Sequence, residues 1–378
     1  MSCLNPISST CLMNLTQLAN PRILEQPIYE PGKPIEEVAR EYDLQPNQIC
    51  KLASNENPWG ASRLAKHAAK DALEKLHLYP DGAGHILFTR LAALHSIQEN
   101  QFVLGNGSNE IIEFLGHVFL EPGDEVVCGE FAFLVYKLVA LLMGAKPVEV
   151  EMPDLCHDLA KMRGAITDRT KLVFLPSPNN PTGTANTENE IFEFVRSLPQ
   201  HVIFCFDEAY AEYLDNPPDL RPLIEEGRKV ICLRTFSKIH GLAALRIGYG
   251  YGSTEMIGLL QRARQPFNAN AVAQAAAIGA LSDNEWVTQC RQRNITGLEQ
   301  ISSGLEKLGI EYIPSHANFI LAKPGNGNSL FLELQKHGII TRALGHNLSD
   351  YLRISVGTED ENTRLLKALE KAHSIYGA

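Results

Sequence analysis

No apolar stretch of this chain approaches the ~18 residues that would suggest a membrane-spanning segment. The first twenty residues hold Met, Leu and Cys but neither a basic start nor a continuous apolar run, so a signal peptide is not expected there. Basic residues form no cluster. The 34 Lys and Arg are scattered among 44 Asp and Glu, for a net charge of -10, which argues against nucleic acid or an anionic membrane as partner. Cysteine is present without a pattern. Cys3, Cys11, Cys50, Cys128, Cys156, Cys205, Cys232 and Cys290 make no CxxC pair and no His/Cys cluster with zinc spacing, so no metal site is expected. Several lie inside apolar runs, where cysteine acts as a small hydrophobe, and a reducing, cytoplasmic compartment is the expectation. Internal repeats and low-complexity segments are lacking too.

What is present is an ordinary globular composition, 44% hydrophobic and 21% charged over 378 residues. That length suffices for a large core and a second, smaller domain. Short apolar runs alternate with helical periodicity, which predicts an α/β fold around a mostly parallel sheet. The expected strands are Gln101–Leu104, Glu125–Cys128, Lys146–Glu151, Lys171–Leu175, Val202–Phe206 and Lys229–Leu233. The expected helices include Asn109–Phe119, Phe133–Met143, Asn189–Ser197 and Met256–Arg264. After Pro266-Phe267-Asn268 the texture changes. Helices over Ala271–Leu281, Trp286–Leu308 and Glu359–Ile375, with strands at Asn318–Ala322 and Tyr351–Ser355, read as a smaller α+β domain. The expected division is an N-terminal arm over 1–33, a large domain over 51–270, and a small domain made of 34–50 and 271–378.

Chemistry-bearing residues gather just after the strands, where ligands of parallel sheets collect. Lys238 follows one run, Asp207 ends another, and Asn180 follows a third in the turn Asn179-Asn180-Pro181-Thr182-Gly183. Tyr210 lies three residues past Asp207, and Ser237 and Arg246 flank Lys238. Taken singly, each reads as a solvated charge, a cap or a turn. Together they are the set that pyridoxal phosphate requires. A lysine of lowered pKa bonds to the aldehyde. An aspartate keeps the ring nitrogen protonated. Tyr210 and Asn180 can reach the ring's phenolic oxygen. Gly105-Asn106-Gly107-Ser108-Asn109 precedes an apolar helix whose first N–H groups suit a phosphate. Ser237 adds a hydroxyl there and Arg246 a fixed fork of donors. Phe133 is positioned to stack on a ring.

These residues resemble the fold-type-I, class II pyridoxal-phosphate aminotransferases. Further motifs narrow the likeness to the histidinol-phosphate aminotransferases: Tyr29-Glu-Pro-Gly-Lys, Lys51-Leu-Ala-Ser-Asn55-Glu-Asn-Pro58, Tyr79-Pro-Asp-Gly, Arg264-Gln-Pro-Phe-Asn268, Asn318-Phe-Ile and Leu352-Arg353-Ile-Ser-Val-Gly357. The likeness runs from about residue 20 to the C-terminus. It implies a seven-stranded large domain and transfer of an amino group between L-histidinol phosphate and 2-oxoglutarate, giving imidazole acetol phosphate and glutamate in histidine biosynthesis. By resemblance, Lys238 binds the cofactor and moves the proton, with Asp207, Tyr210, Asn180 and Phe133 around the ring. Ser108, Asn109, Thr235, Ser237 and Arg246 hold the cofactor phosphate, joined by Tyr79 of a neighbouring subunit, which implies a homodimer. Arg353 resembles the clamp for the substrate carboxylate. Arg342, assisted by Tyr29, resembles the reader of the substrate phosphate, and Asn55 falls among the substrate-binding positions. Leu78, the run Glu130-Phe-Ala and His240 depart from the usual family pattern. Two other activities use the same residues. One is an aromatic amino-acid aminotransferase, and the other a decarboxylase of a phosphorylated amino acid, which would release carbon dioxide.

Overall fold

The computed structural model describes residues 14–24, 26–28 and 32–376. Its centre is a seven-stranded sheet built from β1 (Phe102–Gly105), β2 (Glu125–Gly129), β3 (Lys146–Val150), β4 (Thr170–Pro176), β5 (Ile203–Asp207), β6 (Val230–Thr235) and β7 (Gly248–Gly252). The spatial order is β1-β7-β6-β5-β4-β2-β3. All neighbours are parallel except around β7, which runs antiparallel to both β1 and β6.

The period-2 alternation of the strands divides the interior into two cores. Val127, Val173, Phe204, Phe206 and Cys232 point into one. Val126, Cys128, Leu172, Phe174, Cys205 and Leu233 point into the other. Both faces are covered, as expected of short, wholly apolar parallel strands.

Strand β7 was not among the expected strands. Its sequence, Gly-Tyr-Gly-Tyr-Gly, is poor in the β-branched residues that mark strands. Tyr249 and Tyr251 fill one core. On the other face a side chain at Gly248 would lie 2.5 Å from the Ser108 backbone nitrogen. The glycines therefore let the helix Ser108–Phe119 lie directly against the sheet. Helices Arg63–Leu73, His85–His95 and Gly327–Lys336 also go beyond the expected set. Gln101 sits in a 3-10 turn before β1, not in the strand.

A four-stranded antiparallel sheet contains β8 (Glu311–Ile313), β9 (Phe319–Lys323), β10 (Arg342–Ala343) and β11 (Leu352–Ser355), in the order β10-β11-β9-β8. Its core includes Leu305, Leu334 and Leu369 from three helices. Cys50–Lys51 pairs in parallel with Ile339–Ile340, tying the N-terminal part of the chain to this region. The helix Ala271–Leu281, grouped with the smaller domain by the sequence texture, packs elsewhere. Ala273, Ala276, Ala277 and Ala280 join the core of the large sheet. Small side chains allow that approach: a Cβ on Gly279 would lie 2.6 Å from the Leu64 carbonyl oxygen. Further upstream, Arg22 donates to the Met143 carbonyl at 3.2 Å and Gln26 to that of Leu138 at 2.8 Å, so both side chains reach the helix Val135–Met143.

Candidate active site

The carboxyl ends of β1, β2, β4, β5 and β6 converge on two adjoining cavities that share Phe133, Asn180 and Lys238 in their walls. The smaller measures about 170 Å³, and the larger about 650 Å³.

Lys238 stands between them. Its ammonium donates to the Ser54 carbonyl at 3.2 Å and lies 5.6 Å from the centre of the Tyr210 ring. Burial, with Arg353 and Arg246 nearby, lowers its pKa to about 8. Asp207 ends β5 facing the core that contains Cys205, as strand alternation dictates. Its Oδ2 accepts from the Tyr136 hydroxyl at 2.7 Å and its Oδ1 from the Ala209 N–H at 3.1 Å. Burial raises its pKa to about 6. Glu208 points to the opposite face. There it pairs with Arg234 at 2.8 Å and accepts from the Tyr251 hydroxyl at 2.7 Å. The two adjacent carboxylates are thus separated by the sheet.

One end of the smaller cavity is an anion cradle. The helix Ser108–Phe119 begins after Gly107 with no side chain capping it, which leaves its first N–H groups open to a ligand. Gly107 has φ +80°, and a Cβ there would lie 2.5 Å from Arg246 Nη2, so only glycine leaves the guanidinium its place. Arg246 also donates to Ser237 Oγ at 3.3 Å, and the Thr235 hydroxyl accepts from the Ser237 N–H at 3.1 Å. Ser108 and Asn109 complete this end. At the other end lie Asp207, Tyr210 and Asn180, with Phe133 alongside. An elongated anion with a cationic ring fits this arrangement. Pyridoxal phosphate has that form.

The larger cavity is lined by Arg342 and Arg353. Arg342 and Arg353 are directly opposite each other on β10 and β11, so their side chains share one face. Arg353 donates to Asn180 Oδ1 and to the Ala53 carbonyl oxygen. Asn55 lines the same cavity, but its amide is occupied: Nδ2 donates to the Tyr210 hydroxyl and Oδ1 accepts from Ser355, each at 2.9 Å. Burial raises the Tyr210 pKa to about 12.

Tyr79 is not brought into this group. It is 82% exposed and stacks on Phe267, with ring centres 4.7 Å apart. Tyr29 lies outside the described residues. The sequence reading missed Tyr136 and Ser355. Tyr136 follows Phe133 by three residues, the spacing of one helical turn, and that was the signal available. Among the described residues, no group of three or more His, Cys, Asp or Glu is arranged to hold a metal ion.

A family profile described as aminotransferase class I and II matches residues 47–369. The histidinol-phosphate aminotransferase of Akkermansia muciniphila is 44% identical over 361 residues, covering 95% of this chain and 99% of that one. Histidinol-phosphate aminotransferase 1 of Thiobacillus denitrificans is also 44% identical, over 90% of each chain. Among solved structures, histidinol-phosphate aminotransferase from Sinorhizobium meliloti in complex with pyridoxal-5'-phosphate superposes with a TM-score of 0.88. It is 25% identical and covers 95% of this chain and 98% of that one.

Proposed function

The chain belongs to the class I and II aminotransferases, and from that premise we propose that it transfers an amino group between L-histidinol phosphate and 2-oxoglutarate, with pyridoxal phosphate as cofactor. The observation that carries this reading is the pairing of Arg342 with Arg353 on one face beside Lys238. A single cavity must accept a phosphate in one half-reaction and a carboxylate in the other. A guanidinium binds either as a planar, permanently charged fork.

The bound cofactor supplies an aldehyde for amines and a ring that accepts the electron pair released at the substrate α-carbon. Lys238 would hold the cofactor, and its amine would carry the proton to and from that carbon. Asp207 would partner the ring nitrogen. Tyr210 and Asn180 donate to the phenolic oxygen, with Asn55 fixing Tyr210 from behind. Ser108, Asn109, Thr235, Ser237 and Arg246 hold the phosphate, and Phe133 covers the ring face. Arg353 takes the carboxylate of glutamate and Arg342 the phosphate of histidinol phosphate, with Tyr29 assisting. The reaction belongs to histidine biosynthesis in the cytoplasm, a setting in keeping with the free cysteines. Among the described residues, no helix is long and apolar enough to cross a membrane. For domains, we take residues 1–33 as an arm, 51–281 as the large domain, and 34–50 with 282–378 as the small one.

The test is a set of half-reactions on cofactor-loaded protein with L-histidinol phosphate, L-phenylalanine and L-glutamate, following loss of the cofactor's near-visible absorbance. Histidinol phosphate should convert far more efficiently than phenylalanine. Equal or better conversion of phenylalanine would instead assign the chain to aromatic amino acids, a reading that the apolar wall of Phe131, Leu344 and Leu348 keeps second. Carbon dioxide release would assign a decarboxylase. In the same assay Arg342→Ala should weaken histidinol phosphate by about 1.5–3 kcal/mol, or roughly ten- to a hundredfold, and glutamate much less. Equal losses would remove Arg342 from phosphate recognition.

The functional unit is a homodimer in which Tyr79 reaches the cofactor phosphate of the neighbouring subunit. Supporting this, Tyr79 and Phe267 stack in the open, and Leu76, Leu78 and Ile86 are exposed beside them in sequence or on the following helix. Exposed apolar patches of this kind mark interaction surfaces. Sedimentation equilibrium should give twice the chain mass of 41.8 kDa. A fully active monomer would overturn the shared site.

A further inference from the structure

Tyr136 makes none of the contacts assigned above to substrate or cofactor, yet it is fully buried at the heart of the site. Its ring stacks on Phe174 with centres 4.4 Å apart and planes 6° from parallel, and it meets Phe133 edge-on at 5.8 Å. Phenylalanine would satisfy all of that packing. The hydroxyl needs a separate account, because a buried O–H without a partner is costly. Its partner is Asp207 Oδ2, at 2.7 Å.

We propose that Tyr136 is the positioning residue for the cofactor's ring nitrogen: by donating to one oxygen of Asp207 it fixes the carboxylate and keeps its charge directed into the smaller cavity. The proposal rests on the reading that pyridoxal phosphate fills that cavity. Three physical points support it. The first is geometry. Phe133 lies just before the helix Val135–Met143 and its carbonyl accepts from the Tyr136 N–H at 3.2 Å, so one helix start places both the ring-stacking residue and the donor to Asp207. The second is electrostatics. The ionisable groups around Asp207 are Tyr136 from that helix, Lys238 from the loop after β6, and Cys205, Glu208 and Tyr210 from its own segment. Glu208 disfavours the carboxylate, while the Tyr136 hydroxyl, the Ala209 N–H and Lys238 favour it against burial. The Ala209 N–H holds only Oδ1, and Lys238 is committed to the cofactor aldehyde, which leaves Tyr136 as the constant side-chain donor, on Oδ2. The third is rigidity. Phe174 lies on β4, hydrogen-bonded neighbour of β5, so the stack ties the tyrosine to the strand that carries Asp207.

The test is cofactor titration of the cofactor-free protein, read by absorbance and without any turnover. The wild type should bind, since failure there would refute the cofactor reading itself. Tyr136→Phe should bind roughly ten- to a hundredfold more weakly, the worth of one hydrogen bond to a charged group. The acid limb of its binding curve should move to higher pH, because a carboxylate that loses a donor stays protonated longer. The deciding arm is the double mutant. In an Asp207→Asn background, Tyr136→Phe should cost almost nothing further if the hydroxyl acts through Asp207. Wild-type affinity in Tyr136→Phe, or additive losses in the double mutant, would overturn the proposal and reduce Tyr136 to core packing.

Discussion

Replacing Lys238 by alanine should abolish transamination while leaving a folded protein that still binds the cofactor weakly. Two contributions disappear together: the covalent hold on the aldehyde and the proton carrier at the substrate carbon. General acid–base catalysis alone is worth roughly 10²–10⁴-fold, so the expected rate falls below detection in an ordinary assay. The near-visible band of the lysine-bound cofactor should vanish as well, and small exogenous amines should restore a fraction of turnover by moving the proton in its place. Turnover within tenfold of the wild type would remove Lys238 from the chemistry. A pH arm follows from its surroundings. Burial and the neighbouring arginines lower the amine's pKa to about 8 from 10.5. Only the neutral amine attacks an aldehyde, so capture of cofactor by the cofactor-free protein should accelerate as pH rises through 8 and then level off. The linkage has the matching sign. A lowered folded-state pKa means that the buried ammonium costs stability below pH 8, and the cost is relieved as pH rises toward 10.5.

The sheet and the site differ in how much of each the sequence exposes. Strands with apolar residues at every position were readable because parallel strands bury both faces, and the α/β fold follows from them. Strand β7 was not, since its glycines are selected by the close approach of the helix Ser108–Phe119, a tertiary demand that leaves no local propensity signal. The same holds for Ala271–Leu281. Its alanines read as generic helix, and only the packing against Arg63–Leu73 reveals which core they fill. In the site, strand parity alone separates Asp207 from Glu208, and the two hydrogen-bond sets on opposite faces agree with it. Tyr136 and Ser355 were illegible for a different reason. They touch Asp207 and Asn55, not a ligand, and a hydrogen bond between distant positions leaves no motif. Tyr79 lines neither cavity, so the cofactor contact proposed for it would require a second subunit.

Asp207→Asn should separate stability from function. The substitution preserves shape and removes the charge proposed to keep the ring nitrogen protonated. Preorganised electrostatic contacts of this kind are worth roughly 10²–10³-fold in rate, and a loss of that size is expected in both half-reactions, with weaker cofactor binding. The cofactor-free protein should behave otherwise. Burial raises the folded pKa of Asp207 to about 6 from 3.8. A raised pKa gives a contribution to stability that is complete below pH 3.8 and lost as pH climbs through 6, so at neutral pH the ionised carboxylate is a burden on the cofactor-free fold. Asparagine carries no such charge, and its amide can donate to the Tyr136 oxygen while its carbonyl accepts from Ala209. The variant's melting temperature should therefore lose the decline between pH 4 and 6 that Asp207 imposes on the wild type, and at pH 8 it should match or exceed the wild type. Thermal unfolding of both cofactor-free proteins across that range is the check. A variant that melts lower at pH 8 yet retains activity would mean that Asp207 holds the fold together and leaves the ring nitrogen to another group. Loss of activity without loss of stability would mean that the fold tolerates a buried carboxylate because the bound cofactor's positive charge offsets it.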